Sequence, residues 1–217
     1  MYLVNRWAQS DGREPDGNDL DFGTGPDGPR YTLIPGAGFP LMRFDRTLAY
    51  RGDPSRVPAA LRPRPWSDGD ALSQLTETQI RNAIGKSKPF PGVERVREWS
   101  FDRTPNGQWI INKQLFDPTT PAATVGMDTG EIWVMRSGGG WLHPVHIHME
   151  EHRTLLRNGQ RPGPGNLSYG RHDTILLAGE ERVCTYMKFR DLKGPYVMHC
   201  HNLVHEDHSM MVRFDVV

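Results

Sequence analysis

His199-Cys200-His201-Asn202-Leu203-Val204-His205-Glu206-Asp207-His208-Ser209-Met210-Met211 sets one cysteine between two histidines, with another histidine and a methionine downstream. Thiolate, imidazole and thioether are the soft and borderline donors that suit copper. On a β-strand, side chains alternate between the two faces. His199 and His201 would then point one way and Cys200 the other, so one strand would serve two metal sites back to back.

A second cluster repeats the pattern. In His143-Pro144-Val145-His146-Ile147-His148, the pair His146 and His148 shares one strand face, and His143 has the opposite parity. If the two strands pair, His143, Cys200, His205 and Met210 can converge on one ion. Two imidazoles, a thiolate and a weak axial thioether make up the donor set of a blue copper centre. The four histidines of the two HxH pairs would converge on the opposite face, where more copper can sit. All 9 histidines lie at or after position 143, so any imidazole chemistry is confined to the last third of the chain.

Rival readings fit less well. A structural zinc site closes Cys and His around one ion, usually with CxxC spacing, and opposed side chains at 199, 200 and 201 do not close that way. A dinuclear hydrolase reading of HxH followed by His152 lacks its carboxylate, because Met149-Glu150-Glu151 intervenes. Scattered core histidines are the plain expectation for His152 and His172, and a poor one for two HxH pairs plus His205.

Composition excludes other classes. The 217 residues carry 26 basic and 26 acidic side chains, with no basic run to suggest a nucleic-acid partner. No apolar run reaches membrane-spanning length. Met1-Tyr2-Leu3-Val4-Asn5-Arg6-Trp7 has neither the basic start nor the apolar core of a signal peptide, and the compartment stays open. Of the 2 cysteines, Cys184 sits in a strand-like run and reads as a buried structural thiol.

The 23 glycines and 18 prolines suit many short strands joined by turns. Tyr2–Asn5, Tyr31–Ile34 and Leu41–Asp45 read as short strands around a Gly/Asp/Pro-rich loop at 11–30, and belong to a sheet completed elsewhere. Residues 51–93 read as a linker through Arg62-Pro63-Arg64-Pro65, with a short helix over Leu72–Ile84. From 94 the pattern is β. Val96–Phe101 and Gln108–Ile111 flank the hairpin turn Asn106-Gly107. Glu131–Met135, Pro144–Met149, Thr174–Leu177, Arg182–Phe189, Tyr196–His201 and Met211–Val217 follow, and 157–171 reads as a surface loop. Short strands without a convincing helix predict an all-β Greek-key sandwich.

His143 to His148 resembles the HPxHxH motif of multicopper oxidases, and His199 to Met210 resembles their HCHxxxHxxxxM motif, with the same spacing at every ligand. The His-Glu-Asp-x-x-Met-Met ending is similar to the bacterial spore-coat laccase and bilirubin oxidase branch. The resemblance implies a cupredoxin-like fold: residues 1–50 as closing strands of a second cupredoxin domain, 51–93 as the interdomain connection, and 94–217 as a third domain. It implies His143, Cys200, His205 and Met210 as type 1 copper ligands, His146 as a type 2 ligand, and His148, His199 and His201 as type 3 ligands. Cys200 would take single electrons from a phenolic or aromatic amine reductant. His199 and His201 would deliver them to a trinuclear cluster that reduces dioxygen to water. Glu206 resembles a family carboxylate that assists protonation of that oxygen. An axial methionine implies a less oxidising type 1 centre than leucine would.

The family's trinuclear site takes four HxH motifs, and this sequence holds two. Further copies of the same chain would lack the same motifs. The resemblance therefore implies a second polypeptide carrying the first cupredoxin domain and two further HxH motifs. Met1 at the start favours a separately encoded subunit. A stand-alone blue copper electron carrier is the alternative, and it leaves the four HxH histidines without a role.

Overall fold

The computed structural model describes residues 2–5, 39–43, 70–163, 166 and 168–217. The chain divides into two units, Met1–Arg62 and Pro63–Val217. In the first, β1 (Tyr2–Asn5) pairs antiparallel with β2 (Phe39–Arg43). These match two of the three expected strands. Tyr31–Ile34, the 11–30 loop and the Arg62–Pro65 stretch lie outside the described residues.

The described part of the second unit begins with a 3-10 turn (Ala71–Gln74) and helix α1 (Glu77–Asn82). One helix was expected over Leu72–Ile84; the structure has two pieces. Thr76 divides them: it adopts extended backbone and caps α1 in a reciprocal box with Gln79, which satisfies amide donors at the helix start. Twelve strands follow: β3 (Ser87–Phe90), β4 (Val93–Arg103), β5 (Trp109–Ile111), β6 (Ala123–Val125), β7 (Gly130–Ser137), β8 (His143–Ile147), β9 (His152–Arg157), β10 (Arg171–His172), β11 (Thr174–Leu177), β12 (Arg182–Lys188), β13 (Gly194–Cys200) and β14 (Met211–Val216). A single-turn helix α2 (Leu203–Asp207) lies between the last two.

The strands form two sheets. One has the order β10-β9-β12-β7-β4-β3, with β5 also on β4; the other has the order β11-β8-β13-β14-β6. Most neighbours are antiparallel, while β4–β7 and β14–β6 are parallel. The protein is therefore all-β in its main architecture, as expected. Asn106-Gly107 makes the expected hairpin: Gly107 takes φ +87°, a conformation costly for other residues, and Thr104 and Gln108 close the turn.

The core lies between the sheets, with Trp99, Phe101, Trp133, Met135, Val145, Ile147, Met198, Cys200 and Phe214 all buried in it. A second cluster covers the outer face of the larger sheet, where Leu72, Ile80 and Ala83 pack on Val96, Ile132, Val134, Leu155 and Cys184. Strand β7 is thus covered on both faces, with Trp133 and Met135 in one cluster and Ile132 and Val134 in the other. That explains its unbroken apolar reading. Residues 71–90, which fall in the stretch read as a linker, supply the turn, helix and strand that complete this packing.

Candidate metal centres

Strand β8 lies between β11 and β13. It pairs antiparallel with β13, setting Ile147 opposite Met198, His146 opposite His199, and Val145 opposite Cys200. The pleat then sorts the ligands. His143, Val145 and Ile147 alternate with half-buried Pro144 and His146, so the first three face the core and His146 faces away. On β13, Met198 and Cys200 belong to the core, and His199 has the opposite parity. Past the strand ends, His148 N–H donates to the Val197 carbonyl and His201 N–H to the Pro144 carbonyl, which extends the pairing through both HxH pairs.

On the inner face, Cys200 Sγ lies 3.6 Å from His143 Nδ1 and 3.5 Å from His205 Nδ1, and the two nitrogens are 3.2 Å apart. A point equidistant from three atoms so spaced is about 2 Å from each, close to ordinary metal–nitrogen and metal–sulfur bond lengths. Helix α2 delivers His205. Asn202 caps it, its side chain accepting from Val204 N–H, and Glu206 N–H returns to the Asn202 carbonyl. Ser209 at φ +60° then turns the chain back. Met210 N–H bonds the His205 carbonyl and Cys200 N–H bonds the Met210 carbonyl, so the loop from Cys200 to Met210 closes on itself. Met210 is fully buried with the other three. The structure therefore brings together His143, Cys200 and His205, with Met210 pinned beside them by its backbone.

The electrostatics of this pocket favour neutral donors. Burial pushes the His143 imidazole down to about 3, with His205 adding to the effect. Burial, then Arg103 and His208, pushes His205 down to about 4. Burial also raises the Cys200 thiol to about 12, although Asn202 N–H points at its sulfur from 3.5 Å. Both imidazoles thus keep a free lone pair, and the thiol keeps its proton unless a cation replaces it. The residues fit a soft or borderline transition ion, and copper suits this donor set.

The outer face is more open. His146, His148 and His199 each place a ring nitrogen in one mutual cluster, and His199, His201 and Glu206 form another. His148 Nε2 is 3.3 Å from His199 Nε2. Ring centroids are 4.8 Å apart for His146–His148 and 5.4 Å apart for His146–His201. His148 and His199 are both shifted down, chiefly by burial; neighbouring histidines add to this at His148, while at His199 the Cys200 carbonyl and Glu206 work against it. Again the neutral, ligating form is favoured. Glu206 Oε2 lies 3.1 Å from His201 Nδ1, and Oε1 lies 3.6 Å from His199 Nδ1.

Three features of the inner site were not read from the sequence. Trp109 lies against the His205 ring at 3.6 Å between centroids and 34° between planes. Trp141 meets Trp109 edge-on at 4.9 Å, and the Arg103 guanidinium sits 5.0 Å from Trp109 and 5.3 Å from Trp141. His205 is consequently only 1 % exposed. Trp109 carried one available signal: it follows the Asn106-Gly107 turn, which folds it back onto β4. On the outer face, the Asp173 carbonyl and Thr174 Oγ1 hold His146 Nδ1 at 3.0 and 3.2 Å.

His152 was expected to be a core histidine. It lies on β9, fully buried, with its ring 6.4 Å from that of His172. Cys184 is buried and unbridged as expected, its thiol pushed up to about 12 by burial.

Residues 90–217 match the family model described as multicopper oxidase. The chain belongs to the multicopper oxidase family. Among its relatives, bilirubin oxidase of Albifimbria verrucaria is 33 % identical over 64 % of this chain and 25 % of its own length. A laccase of Bacillus subtilis is 34 % identical over 49 % of this chain and 24 % of its own. The crystal structure of a laccase from Pediococcus acidilactici superposes with a TM-score of 0.52 at 29 % identity, covering 56 % of this chain and 26 % of that one. This multicopper oxidase chain thus spans about a quarter of the length of these relatives.

Proposed function

We propose that this chain is the C-terminal, type 1-bearing part of a laccase-like multicopper oxidase. It works with a second polypeptide that carries the first cupredoxin domain and two further HxH motifs. One observation supports this reading above all: a closed His143–Cys200–His205 donor set with Met210 on one face of β13, and four imidazoles on the other face, all from one strand pair.

In this reading His143, Cys200, His205 and Met210 hold type 1 copper. His146 is a type 2 ligand, and His148, His199 and His201 are type 3 ligands. When bound, copper supplies single-electron transfer from the reductant and, at the shared cluster, four-electron reduction of dioxygen to water. The chain's own contribution is the wiring and the walls. Cys200 joins the inner site to His199 and His201 through single covalent neighbours. Trp109 and Trp141 exclude water from His205. The substrate class is phenols or aromatic amines, and Glu206 is placed to assist protonation of oxygen. Residues 1–50 are closing strands of the second cupredoxin domain, 51–93 the connection and 94–217 the third domain.

Copper content and oxygen consumption test this. The complex with the partner should hold about four copper ions and consume oxygen with a phenol. One copper and no oxygen use in the intact complex would sink it. A second reading, a blue copper electron carrier, is favoured by the inner donor set being complete in this chain alone. It requires that the outer imidazoles hold nothing in any complex.

A further inference from the structure

On the outer face, ring nitrogens are aimed by acceptors behind them. His146 Nδ1 has the Asp173 carbonyl and Thr174 Oγ1, and His199 Nδ1 has the Cys200 carbonyl at 3.2 Å. A ring whose Nδ1 carries the proton presents its Nε2 lone pair to a metal, and outer acceptors of this kind set tautomer and orientation. For His201, whose side chain is half exposed, the group beside that nitrogen is the Glu206 carboxylate, 3.1 Å away.

We propose that Glu206 is a positioning residue whose carboxylate holds His201 as the Nδ1–H tautomer, with its Nε2 free to ligate. The inference rests on reading His199 and His201 as metal ligands. It assigns Glu206 work that does not depend on giving a proton to oxygen.

The geometry supports it in two ways. Glu206 Oε2 is shut off from solvent and accepts no aligned hydrogen bond, an expensive state for a carboxylate oxygen. The separation from His201 Nδ1 is a hydrogen-bond distance, while the angle is not. The imidazole torsion is soft, so the half-exposed ring is free to turn towards alignment. In addition, Glu206 follows His205 on the short helix α2, which Asn202 caps. The same turn that seats His205 against Cys200 carries Glu206 to the two rings flanking Cys200. Glu206 therefore ties the outer ligands to the element that builds the inner site.

Nitrogen-15 NMR of the imidazoles in the metal-free full chain reads the tautomer directly, at a pH above the imidazole range. Wild type should show His201 protonated on Nδ1. Glu206→Gln, which keeps an acceptor oxygen but cannot serve as an acid, should retain that tautomer. Glu206→Met, of similar length without an acceptor, should shift His201 towards Nε2–H, while His199 stays on the Cys200 carbonyl. Glu206→Asp, one methylene short, should give a mixture. His201 protonated on Nε2 in wild type overturns the proposal whatever the variants do. So does an unchanged tautomer in folded Glu206→Met, the result expected if the carboxylate served only as a proton donor. Because no metal is present, an inactive complex would overturn the oxidase reading and leave this one standing.

Discussion

The two faces of β13 differ in what they still need. The inner face is closed: His143, Cys200, His205 and Met210 are buried, the donor atoms of the first three lie within 3.6 Å of one another, and aromatic rings cover them. The outer face is open: His201 and His148 reach solvent, and the imidazoles stand at the surface of the described residues. A site finished within one domain can be pre-shaped by its core. The same strand pair builds both because the pleat sends neighbouring residues in opposite directions.

The largest expected effect comes from removing the residue that belongs to the inner set and links it to the outer one. Cys200→Ser should abolish the intense visible absorption of a copper–thiolate bond in the copper-loaded chain, and abolish oxygen consumption with a phenol in the complex. Retention of either would separate Cys200 from the type 1 site. Next is His201→Ala. It should leave the visible absorption intact and lower oxygen consumption in the complex by more than the roughly 10–100-fold that loss of an outer-shell partner costs. If the absorption fell with the activity, the two faces would not be the separate sites their geometry describes.

How much of this the sequence discloses depends on the range of the interactions involved. Strand parity is local, so the opposed facing of Cys200 and His199 can be read from adjacent letters, and the pairing of β8 with β13 follows once both carry the same motif. The cover over His205 is not local. Trp109 and Arg103 come from the β4–β5 hairpin, far away along the chain, and only the folded sandwich brings them over α2. Strand β9 is not legible in the sequence because His152, Thr154, Leu155 and Leu156 are all buried, which erases the alternation of a half-exposed strand. Helix α2 is five residues long, too short to display a helical period.

The cover supplies the third prediction. Trp109 is buried and in ring contact with His205. Trp109→Ala should cost about 3–5 kcal/mol of unfolding free energy, the range for emptying a large aromatic site. Urea titration of the metal-free chain measures it. Trp109→Phe should recover most of that loss. A cost under about 1 kcal/mol would mean that the inner wall is not built by packing and that its closure is incidental.

The smallest effect at neutral pH concerns a buried histidine on neither face of β13. His152 is fully buried, and neither ring nitrogen has a hydrogen-bond partner. Burial, with His172 second, pushes it from 6.5 down to about 3. The folded state therefore refuses a proton that the unfolded chain takes up near 6.5. Between those two values the unfolded chain binds more protons, so stability rises with pH across that window. The contribution is complete above about 6.5 and is lost as the pH falls towards 3. His152→Phe keeps a planar ring and removes the titration. At pH 7 it should change stability by no more than the packing difference, about 1 kcal/mol. Near pH 4 it should leave the variant more stable than wild type by up to a few kcal/mol. Urea unfolding of both metal-free proteins across this range decides the point. Parallel pH profiles would mean that His152 has a partner in solution. Its burial would then resemble that of His143, whose ring nitrogen faces Cys200 and His205, rather than that of a side chain enclosed by the core.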